Sequence, residues 1–242
     1  MKKVVGVIPA RYASKRFPGK VLAPLLGKPV IQHVYERAKQ VGFPRLLVAT
    51  DDPRIQEVVK GFGGEVVMTS PHHLSGTDRV AEAIENIPCE IIINLQGDEP
   101  LLSHEAVRSV ITVIEKDPSL QMATLITQIK DQRSKIKDQN VVKVVLDPEG
   151  YILSFSRTTN HQLPITSHKI YKHIGIYAYR KETLLSLTSL PQTPMEMKER
   201  LEQWRALENG IRIKGVYTPY STQAVDTPED LKEVEKILNH KQ

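Results

Sequence analysis

Val4-Val5-Gly6-Val7-Ile8, running into Pro9-Ala10-Arg11-Tyr12-Ala13-Ser14-Lys15-Arg16-Phe17-Pro18-Gly19-Lys20, is the stretch that decides the fold. A continuous apolar run without polar alternation fits a strand buried on both faces, as in a parallel sheet. Pro9 breaks the run, and four cations follow in the ten positions from Arg11 to Lys20. Open α/β sheets bind ligands at the carboxyl edge of their strands, where this loop would lie. Its small residues let backbone N–H groups approach a phosphate, and its cations neutralise one. The spacing is neither a Walker loop nor a Gly-x-Gly-x-x-Gly turn. The competing reading is a solvated basic loop.

Outward from this stretch, Arg45 to Ala49 and Glu90 to Leu95 repeat the buried-strand character. Helical patterns lie between them. Val30, Ile31, Val34, Ala38 and Val41 share one face, and Asp52-Pro53 opens a second helix that Gly61, Gly63 and Gly64 end. Val80, Ala81, Ile84 and Ile87 mark a third helix; Ala106, Val107, Val110, Ile111 and Ile114 mark a fourth. Alternation of this kind predicts a layered α/β sheet.

The pattern changes near residue 130. Val141 to Leu146, the turn Asp147-Pro148-Glu149-Gly150 and Ile152 to Ser156 read as a hairpin, with another strand at His173 to Tyr179. Pro194 to Asn209 reads as one helix, Ile211 to Tyr217 as a last strand, and Thr227-Pro228-Glu229-Asp230 as a capped helix start. The expectation is a single domain with a core at about residues 1–130 and 205–242 and an antiparallel insertion at about 131–204.

Composition bounds the function. The 242 residues are 40% hydrophobic and 25% charged, enough for an ordinary globular core. Aromatics are only 5%, too few for platforms that stack single-stranded nucleic acid. The net charge of +5 contains no run of five basic residues, so it argues against a nucleic-acid tail. The lone Cys89 can make no intrachain disulfide and reads as core filling. Pro9 and Arg11 interrupt the opening apolar run before it could serve as a leader, and no stretch approaches the length of a membrane span. A cytoplasmic location is expected.

Three further constellations carry chemistry. In Asn94-Leu95-Gln96-Gly97-Asp98-Glu99-Pro100, a glycine turn puts Asp98 at the same sheet edge as the cationic loop. Mg²⁺ takes one or two protein carboxylates plus waters and phosphate oxygens, which Asp98 suits; the alternative is a helix-preceding turn. Asp226, in Ala224-Val225-Asp226-Thr227-Pro228, supports a helix cap on local grounds and becomes a metal ligand only if the fold brings it beside Asp98. Ser75-Gly76-Thr77-Asp78-Arg79 opens the third helix, with Thr77 either capping it or joining a helix N-terminus that contacts base or phosphate.

In order along the chain, IPARYASKRFPGK, VATDD, SGTDR, NLQGDEP, VVKVVLDPEGYILSFSR, KHIGIYAYRKETL, LEQWRALENGIRI and VDTPEDL resemble the CMP-Kdo synthetases, the 3-deoxy-manno-octulosonate cytidylyltransferases. The resemblance runs from Val4 to about Leu238. It implies a Rossmann-like nucleotidyltransferase core, a homodimer, Mg²⁺, and transfer of CMP from CTP to the acid sugar Kdo for lipopolysaccharide biosynthesis. By this resemblance Arg11, Lys20, Asp98 and Asp226 are catalytic, and the two aspartates are the Mg²⁺ ligands. Ala10, Arg11, Ser14, Arg16, Lys20, Ser75, Gly76, Thr77, Arg79 and Gln96 would bind CTP. Gln96, Arg157, His173, Tyr177, Glu199 and Gln203 would bind the sugar. Three positions depart from the pattern: Ala224 for a glycine, Met197 for a polar residue and Trp204 for a leucine.

Other readings remain at this point. A cytidylyltransferase for sialic acid or an amino variant of Kdo would share the nucleotide chemistry. A glycosyltransferase usually carries an Asp-x-Asp motif, whereas Asp98 is followed by Glu99-Pro100. A non-catalytic nucleotide-binding module would not need two carboxylates beside a cationic loop. A nucleic-acid binder would spread its positive charge along a stripe.

Overall fold

The computed structural model describes residues 3–14, 16–129, 138–158 and 169–240. Lys15 and most of the stretch before Lys169 lie outside the described residues. The chain divides into two compact units, residues 1–108 with 222–242, and residues 109–221.

In the first unit, β1 (Val4–Ala10) is the buried strand expected from the opening run. A short hairpin, β2 (Pro24–Leu25) and β3 (Lys28–Pro29), leads into α1 (Val30–Lys39). Then follow β4 (Arg45–Thr50), α2 (Pro53–Gly61), β5 (Glu65–Met68), α3 (Gly76–Ile84), β6 (Ile91–Asn94) and the start of α4 (His104–Lys116). The strands lie in the order β6-β1-β4-β5, and every pairing is parallel. Parallel pairing requires crossovers, which α1, α2 and α3 provide while burying Val30, Ile31, Val34, Ile55, Val59, Val80 and Ile84. Asp52 caps α2 by accepting from the Arg54 N–H at 2.9 Å, as its Asp-Pro start predicts. Cys89 is only partly buried, so it is not the core filler expected of it.

In the second unit, β7 (Met122–Gln128) pairs with β10 (Ile170–Arg180) antiparallel and with β11 (Ile213–Tyr217) parallel. The expected hairpin is β8 (Lys143–Leu146) and β9 (Ile152–Ser156), and β8 also pairs antiparallel with β10. After β10 come α5 (Lys181–Ser189), α6 (Pro194–Glu199) and α7 (Gln203–Glu208).

The single helix expected over Pro194 to Asn209 is therefore two. Arg200 sits in the left-handed region at φ 55°, and its N–H closes the first helix on Glu196 O. The break buries Leu201 and sets Arg205 bidentate on Glu196, with Nε to Oε2 at 2.9 Å and an Nη to Oε1 at 2.5 Å. Charge-assisted paired bonds of this kind hold two short helices that could not stand alone. The chain ends in α8 (Pro228–Asn239) of the first unit.

Candidate active site

The cleft of the first unit is built at the carboxyl ends of β1 and β6. Tyr12 O accepts from Ser14 N–H at 2.8 Å and from Gly19 N–H at 2.9 Å, folding the cationic loop back on itself. Gly19 has φ +72°, and a Cβ there would lie 2.9 Å from the Tyr12 ring. The Arg54 guanidinium covers that ring at 3.4 Å from its centroid. Across the cleft, a Cβ on Gly97 would lie 2.8 Å from Pro9 O, so only glycine lets the turn after β6 approach the end of β1 this closely.

Lys20 and Asp98 meet in an ion pair, and Lys20 Nζ also lies 2.8 Å from Asp226 Oδ1. Arg16 reaches the other Asp226 oxygen at 2.9 Å. A backbone bond from Val225 N–H to Asp98 O, 2.8 Å, fixes the two acidic segments side by side. The local reading of Asp226 as a cap support applies only to its backbone. Its N–H donates to Asp230 Oδ2, while Thr227 and Asp230 form the capping box.

Burial by itself weakens the Lys20 ammonium, but the Asp98 charge and hydrogen bonds to both carboxylates outweigh it and raise the pKa. Burial likewise pushes the Asp226 carboxyl up, and the hydrogen bonds and charges of Lys20 and Arg16 bring it below its usual value. Lys20 and Asp226 are thus both charged at neutral pH.

The cleft, about 330 Å³, is also lined by Ala10, Arg11, Ser14, Ser75, Gly76, Arg79 and Gln96. His73 and Leu74 line it as well; nothing in their sequence context signals this. Thr77 is not among the lining residues, and it does not cap α3. Ser75 does, its Oγ accepting from Asp78 N–H at 3.1 Å while Asp78 answers in a capping box. Arg79 is buried, with its guanidinium on Thr69 Oγ1 at 2.5 Å and on Asp51 at 3.2 Å. That leaves it a braced group at the cleft wall.

Two carboxylates converging on one cation are a donor set that fits Mg²⁺ in part. Among the described residues no group of three or more His, Cys, Asp or Glu forms a ligand cage, so phosphate oxygens and water would complete the shell.

A family model for cytidylyltransferases matches residues 5–213. A 3-deoxy-manno-octulosonate cytidylyltransferase of Syntrophotalea carbinolica is 47% identical, over 97% of this chain and 98% of its own length. The chain belongs to this cytidylyltransferase family. The enzyme of the same name from Syntrophus aciditrophicus is 48% identical over 98% of each chain. The solved structure of a CMP:2-keto-3-deoxy-manno-octonic acid synthetase complexed with CTP superposes with a TM-score of 0.92, at 41% identity, covering 99% of this chain and all of that one.

Of the residues that the cytidylyltransferase resemblance assigns to the sugar, Gln96 lines the first-unit cleft, and the other five lie in the second unit, in one linked group. The Glu199 carboxylate accepts from Arg157 N–H at 3.2 Å and Ser156 Oγ at 3.4 Å. Trp204, the departure from leucine, donates its indole N–H to Phe155 O at 3.0 Å. The Phe155 ring meets His173 edge-on at 5.3 Å, and His173 lies 5.3 Å from the Tyr177 ring, centroid to centroid. Tyr177 hydrogen-bonds Gln203, and burial above all raises its pKa. His173 Nε2 is 3.0 Å from Thr124 Oγ1. The Thr124 hydroxyl has one proton and gives it to Ile176 O at 2.8 Å, so the histidine Nε2 carries the hydrogen between them. Burial, and then the charges of Arg157 and Lys172, lower the His173 pKa to about 3. Met197 is exposed on α6.

Proposed function

We propose that this chain transfers CMP from CTP to Kdo, releasing pyrophosphate. The observation that carries this reading is the meeting of Lys20 and Arg16 with Asp98 and Asp226 at the carboxyl edge of a parallel sheet, under a cation-rich loop.

The reaction asks for in-line attack of the sugar's anomeric hydroxyl on the α-phosphorus, and for stabilisation of charge as pyrophosphate leaves. Positioning and electrostatics supply most of that. Arg11, Ser14 and Arg16, on a loop closed by Tyr12 and Gly19, hold the triphosphate. Ser75 and Gly76 present the N-terminus of α3, whose helix dipole favours anionic oxygens. Lys20, already tethered between two carboxylates, offers its ammonium to the transferring phosphoryl group. Asp98 and Asp226 would hold Mg²⁺. When bound, that ion supplies charge neutralisation at phosphate oxygens and lowers the pKa of a coordinated hydroxyl. On the sugar side, Arg157 has the fork geometry for a carboxylate. His173, neutral at pH 7, can hydrogen-bond but cannot pair with that charge.

With the family likeness, the same reading makes the protein a cytoplasmic homodimer whose product serves lipopolysaccharide biosynthesis. No helix among the described residues is long and apolar enough to cross a membrane.

The test is pyrophosphate release from the purified protein with CTP and Mg²⁺, with and without Kdo. Release that needs Kdo, fails with sialic acid and stops with EDTA supports the reading. Release with another acid sugar alone moves the substrate, and no release with any sugar refutes the reaction. Near-normal kcat in Asp98→Ala would remove the metal assignment.

A further inference from the structure

Lys143 opens β8 with none of its surface exposed. An ammonium taken out of water carries a large penalty unless well-placed partners offset it. Among the described residues no carboxylate forms an ion pair with it. Its Nζ donates instead to two backbone carbonyls, Asp138 O and, at 2.8 Å, Arg157 O. An apolar side chain of similar length would fill this place without the penalty. What the ammonium adds is the position of the two segments it ties together.

Both segments belong to Arg157. The first is the turn before β8, where Asn140 N–H donates to Asp138 Oδ1 at 2.8 Å and Val141 N–H donates to Asp138 O at 3.2 Å. The Arg157 guanidinium donates to Gln139 O in the same turn at 3.3 Å. The second segment is the end of β9, where Arg157 itself is fixed by its N–H on Glu199 and its carbonyl on Lys143. Arg157 is therefore held at its N–H, its carbonyl and its guanidinium; Lys143 makes the carbonyl support itself and also binds Asp138 O, next to the Gln139 that supports the guanidinium. A binding arginine gains from such support, because a small displacement of a positioned group is costly.

We infer that Lys143 is a positioning residue for acid-sugar binding, acting through Arg157. This rests on the reading above that Arg157 meets the sugar carboxylate.

The experiment is a double-mutant cycle of Lys143→Met and Arg157→Ala, read as KM for Kdo and for CTP, with thermal unfolding as the fold control. Lys143→Met is expected to raise the KM for Kdo about 10- to 100-fold and to leave the KM for CTP unmoved. Arg157→Ala is expected to raise the KM for Kdo at least as much, and the double variant no further. A merely structural lysine would shift both KM values, or neither. A rise in Arg157→Ala without one in Lys143→Met overturns the role of Lys143 alone, as do additive effects in the double variant. An unchanged KM for Kdo in Arg157→Ala overturns the underlying reading, and the inference with it. If Lys143→Met does not fold, the cycle is run with Lys143→Gln, which keeps one donor for a carbonyl.

Discussion

Acidification should loosen the second unit through His173, and the structure gives the size of the effect. The imidazole is buried between Phe155 and Tyr177, and its Nε2–H is committed to Thr124 on β7. Its pKa is lowered from 6.5 to about 3. The folded chain therefore keeps His173 neutral where the unfolded chain protonates it. Below pH 6.5 the unfolded state binds the extra proton, so stability is complete above that value and lost as pH falls towards 3. At pH 5, 1.5 below the unfolded pKa, the loss is about 2 kcal/mol. Urea unfolding followed by circular dichroism at pH 8 and pH 5 measures it, with His173→Gln as the non-titrating comparison. The wild-type protein should lose about 2 kcal/mol more than the variant across that interval. Parallel pH profiles would refute a neutral buried histidine.

Three other perturbations probe the same architecture. Lys20→Met should lower kcat/KM about 10²- to 10³-fold with the fold intact, since on the proposed mechanism it removes a positioned cation from the phosphoryl group; a change under threefold in steady-state assays would count against that role. Gly97→Ala should cost about 1–3 kcal/mol of stability, because its Cβ would lie 2.8 Å from Pro9 O. Urea unfolding at neutral pH checks it, and unchanged stability would mean the β1 and β6 turns are not packed this closely. Glu196→Ala strands the buried Arg205 and should cost about 3–5 kcal/mol. A raised KM for Kdo should accompany that loss, because α6 and α7 carry Glu199 and Gln203; a melting temperature equal to wild type would show the pair to be dispensable.

Local chemistry alone determined a good part of this protein. The unalternating run Val4 to Ile8, the Asp52-Pro53 start and the Thr227-Pro228 start declare their elements, because burial on both faces and helix capping depend on near neighbours. The hairpin around Asp147 to Gly150 was legible for the same reason, and so was the family, carried by motifs in order along almost the whole chain. β5 and β7 were not legible: short or evenly buried segments have no period that distinguishes strand from helix. The break at Arg200 was hidden too, because an ion pair that spans it, Glu196 with Arg205, overrides a helical pattern that looks continuous. Asp98 and Asp226 could each be named from sequence, yet 128 positions separate them, and nothing local turns Asp226 away from its helix cap. Only the tertiary structure decides that. Val225 pairs with Asp98 through the backbone, and Lys20 draws both carboxylates to one point. Lys143 reads in sequence as one polar position within a strand. Its meaning comes from two carbonyls, one in the turn before β8 and one at the end of β9, that meet at its ammonium only once the turn and the hairpin are folded.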